Sequence, residues 1–405
     1  MFESLERLPA LEMEKRLVSF RSRVVEAGID CDAVLIFSRL NIYYFTGSLG
    51  NGVLWIPMDD DPVFMCRKGM ERFKLESPVR RIAPFRSYGD IPGILSEFGQ
   101  SFPQVIGVEK TGINWALADN LKKRLSGIEF VPVDQAISRT RMVKTGWEAD
   151  KILICGKRHH EALYGVLPEL IYPGMTEREI SIKIWDCFFS LGHQGMMRMQ
   201  NYGEEVFLGH VSAGDSANYP SVFNGPVGLR GEHPAITQMG YSGRVWQDKD
   251  PLTVDCGFAL EGYVTDKTQV YFPAAARVPD SVQKAHDLCI EIQARAAEQL
   301  RPGVLAEEIY EKALAKAKKA GFADGFMGLD GNQVPFLGHG IGLAVDEYPP
   351  LARGFKEPLQ NNMFLALEPK IGIRGVGMVG VENTFQVSDG GGVCVTGDAF
   401  DMVRV

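Results

Sequence analysis

Residues 252–272, LTVDCGFALEGYVTDKTQVYF, alternate in side-chain character on both sides of Glu261-Gly262. A period of two around a two-residue turn specifies an antiparallel hairpin. With Leu260 opposite Tyr263, Asp266 lies opposite Gly257, and Asp255 becomes its diagonal neighbour on the same face. Diagonal Cβ atoms stand roughly 7–8 Å apart. An acid on a solvated strand face needs no explanation. These two sit in a run apolar enough to be core, where an unpaired carboxylate costs several kcal/mol. Two carboxylates at that distance can share cations between them.

Three later segments supply matching groups. FLGHGIGLAVDEYPPL (336–351) carries His339 between glycines, which allow close approach of a ligand. MFLALEPKIG (363–372) puts Glu368 at the end of an apolar strand, and MVGVENTFQVSD (378–389) puts Glu382 in the middle of the next. Taken singly, a histidine in a glycine-rich loop is more often structural, and each glutamate is a weak signal. Together, four converging carboxylates would repel one another and raise each other's pKa. Two divalent cations would balance their four charges. Oxygen-rich ligation with one imidazole suits Mn2+, Co2+, Fe2+ or Zn2+. Bridging carboxylates would hold such a pair about 3.5–4 Å apart, the spacing of two-metal hydrolases.

The chain has 405 residues and a net charge of −8, which argues against a nucleic-acid partner. There is no apolar run of 18 residues, so no membrane-spanning helix is expected. The N-terminal MFESLERLPALEMEKRLVSF lacks the apolar segment of a signal peptide. Seven scattered cysteines, never in a CxxC pair, fit a reducing compartment, and a cytoplasmic location is expected. Cys256, beside Asp255, reads as a small buried strand residue.

Residues 1–140 alternate helix and strand patterns and predict an α/β domain. Leu11 to Ala27 has helical spacing. AVLIF (33–37) is a strand buried on both faces, and 52–58 with 61–66 form a hairpin. VIGVE (105–109) and FVPV (130–133) are further strands. A linker is placed at 137–148, and a long helix is expected from Trp147 to about Leu170. Residues 141–405 form the second domain. Within it, PGMTEREISIKIWDCFFSLG (173–192) parallels RPGVLAEEIYEKALAKAKKAGF (301–322): Pro-Gly, an acidic helix start, an apolar stripe, then Gly. Two related halves enclosing a site are expected. His159-His160 read as surface or interface residues, and GIRGVG (372–377) as a loop between strands.

The sequence resembles the creatinase/aminopeptidase P/prolidase family, the pita-bread metallopeptidases. Asp255, Asp266, His339, Glu368 and Glu382 match that family's five metal ligands in order and spacing. GID, LNIYYFTGS (40–48) and RMVKTGWEAD (141–150) look like its N-terminal domain and linker. The resemblance implies an α/β N-terminal domain followed by an α+β pita-bread domain with a pseudo-twofold repeat. It implies two divalent ions: Asp255 on one, His339 on the other, and Asp266 and Glu382 bridging. Glu368 would ligate the ion on His339 and also act as general base or proton shuttle. A homodimer is implied as well.

Two departures stand out. Peptidases of the family usually carry a V-H-E pattern after the histidine loop; here AVDEYPP puts Asp346 there. They also usually carry a histidine ending a motif like S-G-x-N-x-x-x-P-H; here VSAGDSANYPS puts Ser221 there. His233, in the insertion 224–246, and His210, in FLGHVSAG, are candidates to fill the gap. A histidine donates a hydrogen bond to an oxyanion, whereas an ionised Asp346 would instead attract an amine. Three readings stay open. One is a hydrolase of short peptides, most simply an Xaa-Pro dipeptidase or aminopeptidase. The second is a non-peptidase enzyme on the same scaffold, such as a C–N hydrolase of a guanidino-type small molecule or a lyase. The third is a binding protein with a relict site.

Overall fold

The computed structural model describes residues 3–200 and 204–405. The chain divides into two compact units, Met1–Arg141 and Met142–Val405.

The first unit is built on a six-stranded mixed sheet. Its order is Arg81–Pro84, Val63–Lys68, Asn51–Pro57, Ala33–Ile36, Val105–Val108, Glu129–Pro132. Ala33–Ile36 is buried at every residue, as a central strand covered on both faces must be. It pairs antiparallel with Asn51–Pro57 and parallel with Val105–Val108. The hairpin expected at 52–66 is present, with Trp55 opposite Val63. A buried acid, Glu109, follows the strand Val105–Val108. Its carboxylate accepts from Phe37 N (2.7 Å), Ser38 N (2.8 Å) and Asn41 Nδ2 (2.6 Å).

The second unit has two antiparallel sheets with helices packed on each. The first sheet runs Val403–Arg404, Tyr263–Phe272, Leu252–Leu260, Gly209–Ala213. The helices Gly146–His160 and Glu177–Ser190 pack on it and share its core with Phe188, Trp246 and Phe258. The second sheet runs Glu347–Ala352, Phe336–Gly340, Phe364–Leu367, Asn383–Gln386, Val393–Cys394. Asp280–Ala297 and Ala306–Lys319 cover it in the same way, around Ile292, Ile309 and Leu365. This is the pita-bread arrangement, with helix pair and sheet repeated. The expected helix of each half is present. Glu177–Ser190 starts in a capping box in which Thr176 Oγ1 accepts from Glu179 N and the Glu179 carboxylate accepts from Thr176 N. Ala306–Lys319 has no side-chain cap but places Glu307 and Glu308 in its first turn, against the positive end of the helix dipole.

The hairpin 252–272 has the expected register: Leu260 opposite Tyr263, Gly257 opposite Asp266, Asp255 opposite Thr268. The segment 370–380 forms a second hairpin, with GIRGVG carrying its turn. One expectation is corrected. His159 is not a surface residue; it is fully buried, with Nδ1 3.1 Å from Thr265 Oγ1 and its ring against Phe188 and Phe258. It stands four residues after Cys155 and seven after Ile152, both buried, so it lies on the stripe that packs on the sheet. His160, one residue on, is half-buried.

Candidate metal centre

The two sheets of the second unit meet where the acids lie. Asp266 N donates to Thr384 Oγ1 (3.0 Å), whose hydroxyl donates to Asp266 O (3.1 Å). Thr268 N donates to Glu382 O (3.2 Å), an isolated bridge between the sheets. Each sheet then contributes its own ligands. Asp255 and Asp266 come from the hairpin. His339 stands on Phe336–Gly340, paired with Ala366 of the next strand. Glu368 follows that strand, and Glu382 immediately precedes Asn383–Gln386.

The five expected residues are thus brought together. Asp266, His339 and Glu382 offer ligand atoms that all lie within 4.8 Å of one another. Two ligands of one small ion face each other across roughly 4 Å, so this spacing suits a single shared cation. His339 Nε2 lies 3.5 Å from Glu368 Oε1 and 3.9 Å from Glu382 Oε1. Its Nδ1 is 3.1 Å from Gly340 O. Donating there fixes the tautomer and turns the Nε2 lone pair toward the acids, the state a metal requires. The donor set fits a divalent ion at this pole.

A residue that sequence reasoning passed over occupies the other pole. Lys370 is fully buried, and its Nζ lies 2.6 Å from Glu382 Oε2, 3.1 Å from Glu368 Oε2 and 3.3 Å from Asp255 Oδ2. Glu368 and Glu382 each turn one oxygen to His339 and the other to Lys370. Only a faint signal lies in Glu368-Pro369-Lys370, too weak to set this lysine apart from one that reaches solvent. Alternate residues of an extended segment share a face, so a lysine two after an inward acid points inward too.

Burial and then the charge of Asp255 push the Asp266 carboxyl up to about 7. Glu382 is raised well above the carboxylate range by burial and by Asp266, against the pull of Lys370. Burial also acts upward on Asp255, but Lys370 and His210 outweigh it and hold that group below its ordinary value. Opposed to its own burial, Lys370 is held well above the usual lysine value by Asp255, Glu382 and Glu368.

The remaining candidates separate. His210 pairs across the sheet with Asp255, its ring edge-on to Phe223, and burial lowers its pKa. Its Nδ1 has no partner among the described residues. His233 lies on an exposed turn, where its Nδ1 accepts from Ala235 N (3.1 Å); no contact joins it to the acids among the described residues. Asp346 is half-buried, accepts from Gln200 N (2.7 Å), and is raised by burial with His339 among its charged neighbours. Ser221 Oγ accepts from Phe223 N (3.0 Å). Cys256 is buried and inert, its thiol pushed well above the ordinary range by burial and by Asp255.

Residues 16–143 match the creatinase/prolidase N-terminal domain, and residues 150–389 match metallopeptidase family M24. The chain is 24% identical to the Xaa-Pro dipeptidase of Pyrococcus furiosus, over 94% of this chain and 97% of that one. To the Xaa-Pro dipeptidase of Pyrococcus horikoshii it is 25% identical, over 94% and 95%. Among solved structures, an Xaa-Pro dipeptidase from Bacillus anthracis superposes with a TM-score of 0.80 at 21% identity, covering 97% of this chain and all (100%) of that one. The prolidase from Pyrococcus horikoshii OT3 gives 0.77 at 22% identity, covering 96% and 100%. The chain belongs to metallopeptidase family M24, and it is a metal-dependent peptide hydrolase.

Proposed function

We propose that the chain is an Xaa-Pro dipeptidase, with Asp266, His339, Glu368 and Glu382 holding the catalytic divalent ion, Mn2+, Co2+, Zn2+ or Fe2+. The convergence of those four side chains on one pole carries the reading. Similarity over nearly the full length to proteins named Xaa-Pro dipeptidase supports the substrate class.

A bound divalent ion supplies Lewis-acid polarisation of the scissile carbonyl and of water. Glu368 Oε1, the oxygen turned toward His339, takes the proton of the attacking water and returns it to the leaving amine. Lys370 holds the other oxygen of that carboxylate from the far side. Asp346 offers the substrate's free amino group a carboxylate near His339. His210, beside Asp255, is a buried imidazole whose Nδ1 has no partner among the described residues.

Hydrolysis of Xaa-Pro dipeptides and of longer peptides beginning Xaa-Pro tests this. The expected outcome is cleavage of the dipeptide only, abolished by a chelator and restored by metal. Cleavage confined to the longer peptides, or activity insensitive to chelation, overturns it. Glu368→Gln should lower kcat far more than it raises KM, because a proton shuttle acts in the transition state.

A further inference from the structure

The family resemblance implies an ion held by Asp255 together with the bridging oxygens of Asp266 and Glu382. In this chain part of that ligand set is already used. Asp255 Oδ2 and Glu382 Oε2 both face Lys370 Nζ, and Glu368 Oε2 completes a ring of three acceptors around the ammonium. An ammonium has three N–H donors, and here it has three carboxylate partners.

The position is built to receive this side chain. Lys370 opens a strand whose partner residue is Gly380. A Cβ at Gly380 would stand 2.4 Å from Pro369 O and 3.1 Å from Lys370 Cγ, so glycine there leaves the lysine stem its course. The ammonium is fully buried, with no path to water that would let it snorkel away. A divalent ion bound by Asp255 would share that carboxylate with the Lys370 ammonium, 3.3 Å from Asp255 Oδ2, and like charges so placed repel.

We propose that Lys370 stands in place of the second metal ion, so that the chain binds one divalent ion, at the His339 pole. This rests on the metallopeptidase reading above but departs from its two-ion form.

The test is metal stoichiometry on the full-length protein, stripped with a chelator and reconstituted with Mn2+ or with Zn2+ alone. One ion per chain is expected at saturation, with the uncoupled six-line resonance of an isolated Mn2+. Two ions per chain, or the exchange-coupled signal of a Mn2+ pair, overturns the proposal while leaving the metallopeptidase reading intact. No bound ion overturns both. K370A should take up a second ion and show the coupled signal. A folded K370A that still binds one ion shows that the ammonium is not what excludes the second, and overturns the proposal. The wild-type measurements decide the stoichiometry even if K370A does not fold.

Discussion

Glu109 and Glu382 are both almost wholly buried acids at strand ends, 1% and 2% exposed, yet their surroundings are opposite. Glu109 is ringed by neutral donors: two backbone amides and an asparagine amide. Those bonds satisfy the carboxyl oxygens and leave nothing for a ligand to do. Glu382 is ringed by other acids, and beyond Lys370 and Thr268 it has no comparable donors among the described residues. A buried carboxylate with neutral donors is architecture. A buried carboxylate among carboxylates is a candidate cation site, because a cation or a proton must relieve the crowding.

The largest effect should come from removing charge in the crowded region. Asp266→Asn keeps the shape but loses a ligand oxygen, and activity should fall by at least about 100-fold, ~2.7 kcal/mol of transition-state stabilisation. Normal turnover with normal metal content would show that Asp266 is not a ligand and would dissolve the contrast.

Glu109→Gln should behave in the other way. It turns an amide N–H toward backbone donors and should destabilise the first unit by about 1–3 kcal/mol, measured by denaturant unfolding. Metal content should not change. A loss of metal in this variant would mean that the two acids are not different in kind.

His193 sharpens the comparison with a base. It is buried, its Nδ1 accepts from Ala259 N (3.0 Å), and burial lowers its pKa from 6.5 to about 4. The folded value is the lower one, so its stabilising contribution is complete above pH 6.5 and is lost as pH falls toward about 4. His193→Asn keeps an acceptor without the titration. The variant should lose about 1 kcal/mol less than the parent between neutral pH and about pH 5.5. Parallel acid-unfolding curves for the two proteins would refute the assignment.

Much of this was legible in the chain. The hairpin 252–272 was readable to the residue, because period two and a two-residue turn leave one register that buries the apolar face. The five candidate ligands were readable because each is an ionisable residue inside an apolar strand or glycine-rich loop. Lys370 was not. A lone lysine near the end of a strand normally reaches solvent, and its burial depends on two sheets closing over it. His159 could have been placed from its spacing to Cys155 and Ile152, but adjacency to His160 drew attention to the pair rather than to the stripe. The choice between His210 and His233 depended on pairing across the first sheet, which strand patterning alone does not give.

The double hydrogen bond between Asp266 and Thr384 joins residues 118 apart in sequence. Closing a loop of that length has an entropic cost that the packing of the two sheets must offset. The acids of the hairpin and those of the second sheet therefore meet only where the two sheets are docked. Lys370 arrives there with them, because it is covalently joined to the segment that carries Glu368. Metal uptake by the full set of ligands then reports that both sheets have found each other.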